Sequence, residues 1–256
     1  MTHAGRLAGM VAIVTAAGQG LGEEIAKTFA QEGSHVVIVD VNLAEAQRVA
    51  DDIEKAGGSA LVQQIDVTRS ADVSSMVTAV VSRFGTIDIL VNAAGGFTKF
   101  APITEISDDD WDRVIALNLR SAFLCTREVV KVMIRNRRGR IVNIASGAGV
   151  GPRSHAPSYI PYGAAKAGLI GLGKLLARDV GEYNITVNTV TPGTTLTPRV
   201  RKVRDAASIE KIKMQNPMRC LVEPEDTAQA ALFLVSGAAR YITGVNLNVS
   251  AGNLIV

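Results

Sequence analysis

Tyr162-Gly163-Ala164-Ala165-Lys166 sets a phenol and an ammonium four residues apart. On a helix that spacing brings both side chains to one face. A phenol with an ordinary pKa of about 10 is a poor base at neutral pH, and a cation beside it favours the ionised form enough to make proton exchange with an alcohol feasible. Ser146 and Asn118 stand upstream, and a glycine-rich turn lies near the start of the chain. In this order the groups suit hydride transfer, which points to an oxidoreductase. A lone Tyr-x-x-x-Lys fits an ordinary surface helix pair equally well; the company of the other motifs separates the two.

The glycine turn supplies the second half of such chemistry. Met10 to Thr15 is a short apolar, β-branched run that stops at Ala16-Ala17-Gly18-Gln19-Gly20-Leu21-Gly22, after which Glu23 to Gln31 shows helical spacing of Ile25, Ala26, Phe29 and Ala30. Strand, turn and helix let backbone amides approach a pyrophosphate at the positive end of the helix. Gly18, Gln19, Gly20, Leu21 and Gly22 are therefore expected to hold a dinucleotide without a basic side chain. Asp40 ends the next apolar run, Val36-Val37-Ile38-Val39. A carboxylate there accepts hydrogen bonds from an adenosine ribose and repels a 2′-phosphate. No Arg or Lys follows it before Arg48, so the expected cofactor is NAD rather than NADP.

The elements that must position these groups alternate along the whole chain. Val11 to Thr15, Val36 to Asp40, Ala60 to Ile65, Ile87 to Val91, Arg140 to Ile144, Thr186 to Val190 and Val245 to Val249 read as strands. Ala44 to Ala56, Ala71 to Phe84, Trp111 to Arg135, Pro161 to Gly181 and Pro224 to Val235 read as helices. The alternation predicts an α/β fold, a Rossmann-type doubly wound parallel sheet of about seven strands with helices on both faces. The chain has 256 residues, 47% of them hydrophobic, without repeat, low-complexity tract or linker, which predicts a single domain over 1–256. The polar stretch Arg199 to Met214 interrupts the alternation just after a strand's carboxyl end, where ligands of open sheets bind. A substrate lid is expected at about 194–216. Its cations, Arg199, Arg201, Lys202, Arg204, Lys211 and Lys213, either meet an anionic substrate or face water on an amphipathic helix.

Composition excludes other classes. A formal net charge of +3 is too mild for a nucleic-acid binder, and Arg135, Arg137, Arg138 and Arg140 fall between a helix and a strand, where they are expected to cap the helix dipole in solvent. Cys125 and Cys220 form no C-x-x-C pair and offer no metal-site spacing, which fits a reducing cytoplasm. Neither a signal-peptide pattern nor a long apolar span is present, so no membrane partner is expected. Ser146 lies in Ala145-Ser146-Gly147-Ala148-Gly149, which lacks the G-x-S-x-G of a Ser-His hydrolase.

These segments resemble the classical short-chain dehydrogenase/reductase family, and the resemblance covers nearly the whole chain. Thr15, Gly20 and Gly22 fit its T-G-x-x-x-G-x-G, with Ala16 in place of the first Gly, so the turn must tolerate a Cβ there. Asp66-Val67 resembles the pair that contacts adenine. Asn92-Ala93-Ala94-Gly95 resembles N-N-A-G, with Ala93 for the second Asn, whose hydrogen bonds must come from elsewhere. Pro192-Gly193-Thr194-Thr195-Leu196-Thr197 resembles P-G-x-x-x-T, which in relatives holds the nicotinamide carboxamide. The resemblance thus adds Asp66, Val67, Asn92, Ala94, Gly95, Pro192, Gly193, Thr195 and Thr197 to the cofactor contacts.

It also implies roles. Tyr162 would be the general acid or base, Lys166 would lower its pKa and hold the nicotinamide ribose, and Ser146 would fix the substrate oxygen. Asn118 would hold a water linking Lys166 to solvent. Tyr159 lies nearer to Ser146, at the spacing more usual in relatives, but the residue four beyond it is Gly163. Tyr162 is the better candidate, and the loop Gly147 to Pro161 is then lengthened; its Arg153, His155 and Tyr159 either line the substrate pocket or sit on a solvated loop. The implied reaction moves hydride between NAD and a secondary alcohol or ketone. The alternatives are a 3-oxoacyl-thioester reductase of the same family and, from another class, a non-catalytic NAD-binding sensor. The family also implies a homotetramer through Trp111 to Arg135, Pro161 to Gly181 and the last strand, with the apolar Leu254-Ile255-Val256 covered by a neighbour.

Overall fold

The computed structural model describes residues 5–97, 100–151, 159–203 and 205–255. Arg153, His155, Arg204 and Val256, singled out above, lie outside the described residues. In chain order the elements are β1 (Val11–Thr15), α1 (Gly20–Gln31), β2 (His35–Asp40), α2 (Leu43–Lys55), β3 (Ser59–Gln64), α3 (Ser70–Phe84), β4 (Ile89–Asn92), α4 (Asp108–Ile115), a π-helical turn (Ala116–Arg120), α5 (Ser121–Asn136), β5 (Gly139–Ile144), α6 (Ile160–Val180), β6 (Ile185–Pro192), α7 (Pro198–Val203), α8 (Ala206–Gln215), α9 (Pro224–Val235) and β7 (Asn246–Val249).

Seven parallel strands form one sheet in the order β3-β2-β1-β4-β5-β6-β7. The central strands β1, β2 and β4 are nearly continuous apolar runs because both of their faces are covered, while the edge strands β3 and β7 mix polar and apolar residues. Along β1, Ala12 and Val14 point into a core with Ile25, Phe29, Val49, Ile53 and Leu232 from α1, α2 and α9. Val11 and Ile13 point into the opposite core with Val73, Met76, Val80, Leu124 and Val129 from α3 and α5. Sequence order reverses between β1 and β4, so a crevice opens beyond their carboxyl ends.

Two expectations need correction. The helix expected over Trp111 to Arg135 begins at Asp108, where Ser107 Oγ accepts from the Asp110 amide at 3.2 Å, and is interrupted by the π turn. Widening the turn by one residue frees a carbonyl from the ordinary ladder. Asn118 fills the gap, its Nδ2 donating to Val114 O at 2.9 Å. The second correction concerns the arginines between α5 and β5. Arg138 pairs with the buried Asp88, Arg137 reaches Glu182 O at 2.8 Å, and Arg140 reaches Asn184 O at 3.0 Å. They tie the bottom of the sheet to neighbouring loops instead of capping a dipole in water.

Candidate active site

The glycine turn leaves β1 through Ala16, which takes a left-handed φ of +52°. A Cβ on Gly22 would sit 2.3 Å from Ala16 O, so the helix can approach the turn only without a side chain there. Thr15 Oγ1 accepts from the amides of Ala93 and Ala94 at 3.0 and 3.1 Å, which locks the β1 turn to the β4 turn. Gln19 precedes α1 without a side-chain cap, so the first amides of the helix are left for an anion. Leu21 packs against the core beneath.

Asp40 stands at the tip of β2, its Oδ2 accepting from Gly18 N at 2.9 Å and its Oδ1 from Asn42 N at 2.9 Å. Arg48 approaches the same corner and donates to Gly18 O at 3.1 Å. Its charge is already met by Glu23, Glu45 and Asp52, and hydrogen bonds to Glu23 and Glu45 hold its pKa above the ordinary value. Asp66 folds onto Thr68, whose amide and hydroxyl donate to Oδ1 at 2.9 and 2.7 Å, while Val67 is buried. The Asn92 side chain turns inward, donating to Thr126 Oγ1 at 3.0 Å and Asn143 Oδ1 at 2.9 Å. Asn92 thus reaches the crevice by its position at the end of β4 and not by its amide group.

On the far side, Pro192 ends β6, Gly193 N donates to Val249 O at 2.8 Å, and Thr195 bridges to Val222. Thr197 begins the segment that carries α7. Its methyl would lie 3.7 Å from a Cβ on Gly20, so this segment closes over the glycine turn.

The groups expected to do chemistry meet between the ends of β4 and β5 and the first turns of α6. Lys166 is 3% exposed; Nζ donates to Ile144 O at 2.9 Å and lies 5.7 Å from the centroid of the Tyr162 ring. Burial pushes the Lys166 ammonium down to about 8. Gly95 makes room for it, since a Cβ there would sit 2.8 Å from Nζ and 2.7 Å from Asn118 Oδ1. Asn118 is fully buried and clamps Gly96, accepting from its amide at 2.9 Å and donating to its carbonyl at 2.8 Å. The π turn therefore presents this amide to the backbone beside Lys166. Ser146 lies two residues beyond β5 and caps the short turn that follows, its Oγ accepting from Ala148 N at 3.2 Å. The short turn after it packs on α6 so closely that a Cβ on Gly149 would sit 2.5 Å from the Lys166 carbonyl carbon. Tight backbone packing therefore fixes Ser146 relative to Tyr162 and Lys166.

Two rings went unread in the sequence. Phe97 lies with its centroid 4.9 Å from Tyr162 and 5.1 Å from Tyr159, and Phe100 meets Phe97 at 5.0 Å. Their signal was present: Phe97 follows directly on Asn92-Ala93-Ala94-Gly95-Gly96 and Phe100 three residues later, in a chain only 4% aromatic. Among the described residues no cluster of three metal-ligating side chains exists, and no helix is long and apolar enough to cross a membrane.

Comparison with known proteins agrees with this geometry. A family model described as enoyl-(acyl carrier protein) reductase matches residues 15–253. The (2S)-[(R)-hydroxy(phenyl)methyl]succinyl-CoA dehydrogenase subunit BbsD of Thauera aromatica is 36% identical over 242 residues, 94% of this chain and 95% of that one. The 3-oxoacyl-[acyl-carrier-protein] reductase FabG of Thermotoga maritima is 35% identical over 98% of this chain and all of its own. A 7α-hydroxysteroid dehydrogenase solved with NADH and 7-oxoglycochenodeoxycholic acid superposes with a TM-score of 0.91 at 38% identity, covering 96% of this chain and 95% of that one. With matches of this length over a seven-stranded sheet of this order, the chain belongs to the short-chain dehydrogenase/reductase family.

Proposed function

We propose that this oxidoreductase moves hydride between NAD and the carbon of a secondary alcohol or ketone. The observation that carries the reading is the buried Lys166 ammonium beside the Tyr162 ring, anchored by Ile144 O and bordered by Asn118. The uncapped start of α1 and the cradle at Gly18, Gly20 and Gly22 fit a dinucleotide pyrophosphate. When bound, NAD supplies the hydride acceptor or donor. Tyr162 exchanges the proton with the substrate oxygen, Ser146 orients that oxygen, and Lys166 favours the ionised phenol with a charge undiluted by water. Asn118 keeps the backbone around Lys166 in place.

Asp40 at the corner of the glycine turn, with Arg48 neutralised beside it, supports NAD over NADP. Steady-state kinetics with both cofactors tests this: kcat/KM should favour NAD by at least about tenfold, and a clear NADP preference would refute it. A panel of secondary alcohols, read by NADH formation, separates the enzyme from a protein that only binds the dinucleotide. The Thermotoga relative makes 3-oxoacyl thioesters the second substrate class to try. The segment carrying α7 and α8 serves as the lid. A homotetramer is the reading favoured by an exposed apolar groove between the π turn, α5 and α6, lined by Ile115, Leu119, Phe123, Leu172 and Leu175. Free thiols at Cys125 and Cys220 suit a cytoplasmic location.

A further inference from the structure

Of the 6 Phe, 4 Tyr and 1 Trp of the chain, four rings meet at the mouth of the site. Phe97 and Phe100 follow the Gly95-Gly96 turn, while Tyr159 and Tyr162 come from the first turn of α6. The Phe97 ring is tilted 40° to Tyr159 and 53° to Tyr162, and Phe100 meets Phe97 edge-on at 67°. Phe100 is 47% exposed although large and apolar. Tyr159 is 4% exposed, and its hydroxyl has no hydrogen-bond partner among the described residues. Asn92, Thr186 and Thr227 also carry an unpaired buried oxygen, but of these four residues only Tyr159 stacks against the ring that touches Tyr162. A buried hydroxyl without a partner calls for an explanation, and Phe100, left half in water one ring removed from the reacting phenol, points to the same one.

We propose that Phe97, Phe100 and Tyr159 form the substrate-recognition wall of the site. The wall selects an alcohol or ketone whose reacting carbon carries an aromatic ring, and the Tyr159 hydroxyl donates to an acceptor on that substrate. The inference rests on the hydride-transfer reading above. In the oxidising direction ionised Tyr162 would take the substrate O–H proton and pass it to solvent, while bound NAD+ would supply the acceptor for the carbinol hydride, leaving an aryl ketone and NADH. Tilted rings offer edges and faces to a further ring, a contact that a saturated ring of equal bulk does not make.

The test compares kcat/KM for 1-phenylethanol and 1-cyclohexylethanol. The wild-type ratio should be about threefold to tenfold in favour of the aryl alcohol, and Phe97→Leu should bring it close to one. An equal or reversed wild-type ratio overturns the wall while leaving the NAD-linked reading intact. Should Phe97→Leu fail to fold by circular dichroism, Phe100→Leu at the exposed rim takes its place. The hydroxyl has its own readout: Tyr159→Phe should raise the Tm of the substrate-free protein by about 2–4 °C, because an unpaired buried group is removed. A fall in Tm would mean that the hydroxyl is bonded within the fold, and would overturn its assignment to substrate. If no alcohol is oxidised, the hydride-transfer reading itself fails, and saturation-transfer NMR of acetophenone with NADH-loaded protein then decides the wall. A signal lost in Phe97→Leu supports it; no signal with wild type overturns it.

Discussion

Lys166 is the residue at which function and stability pull apart. Its folded pKa of about 8 lies below the ordinary 10.5, so the unfolded chain holds the extra proton between those values. Stability therefore rises as pH climbs from about 8 towards 10.5, and the burden of the buried charge is fully present below 8. That drop corresponds to roughly 3 kcal/mol at neutral pH, less whatever the unpaired Ile144 carbonyl would take back. Lys166→Met should accordingly be more stable than wild type in guanidinium unfolding at pH 7, with the advantage shrinking by pH 10, and should lose turnover. A less stable Lys166→Met at pH 7 would contradict the electrostatic account. The sequence shows that Lys and Tyr share a helical face, because the spacing alone dictates it. Burial, and the Gly95 gap that admits the ammonium, depend on a turn brought in from β4 and have no local signature.

At the scale of elements, every expected strand is present within two residues or so, since the central strands, covered on both faces, are short apolar β-branched runs. The π turn was not legible. Its apolar stripe fits a regular helix over so short a span, and the one clue is Asn118 in an otherwise apolar stretch, a polar side chain that a regular buried turn would leave unpaired. The glycine turn holds a further anomaly in Ala16 at φ +52°. A left-handed alanine costs about 1–2 kcal/mol relative to its ordinary conformations, part of which glycine's greater unfolded freedom would offset. Ala16→Gly should therefore raise stability by up to about 1 kcal/mol, measurable as a higher Tm. An unchanged or lower Tm would show that the alanine methyl has packing of its own to lose.

For the whole molecule the open question is what covers the groove on α5 and α6. Phe123 is 44% and Leu175 72% exposed, a liability for an isolated chain in water. In the proposed tetramer these residues meet another subunit, so Leu175→Glu should lower the mass seen by light scattering, and a wild-type monomer would remove the interface altogether. Assembly was accessible from the sequence only by resemblance, because apolar residues on a long helix look alike whether their own core or a second copy buries them.

Everything in this reading turns on Tyr162, and not the nearby Tyr159, exchanging the proton. Steady-state NADH formation by Tyr162→Phe and Tyr159→Phe side by side, on a secondary alcohol that wild type oxidises, tests it most directly. Tyr162→Phe should lose at least about 1,000-fold with NADH binding retained, and Tyr159→Phe should continue to turn over with altered substrate preference. Turnover surviving in Tyr162→Phe and vanishing in Tyr159→Phe would contradict it.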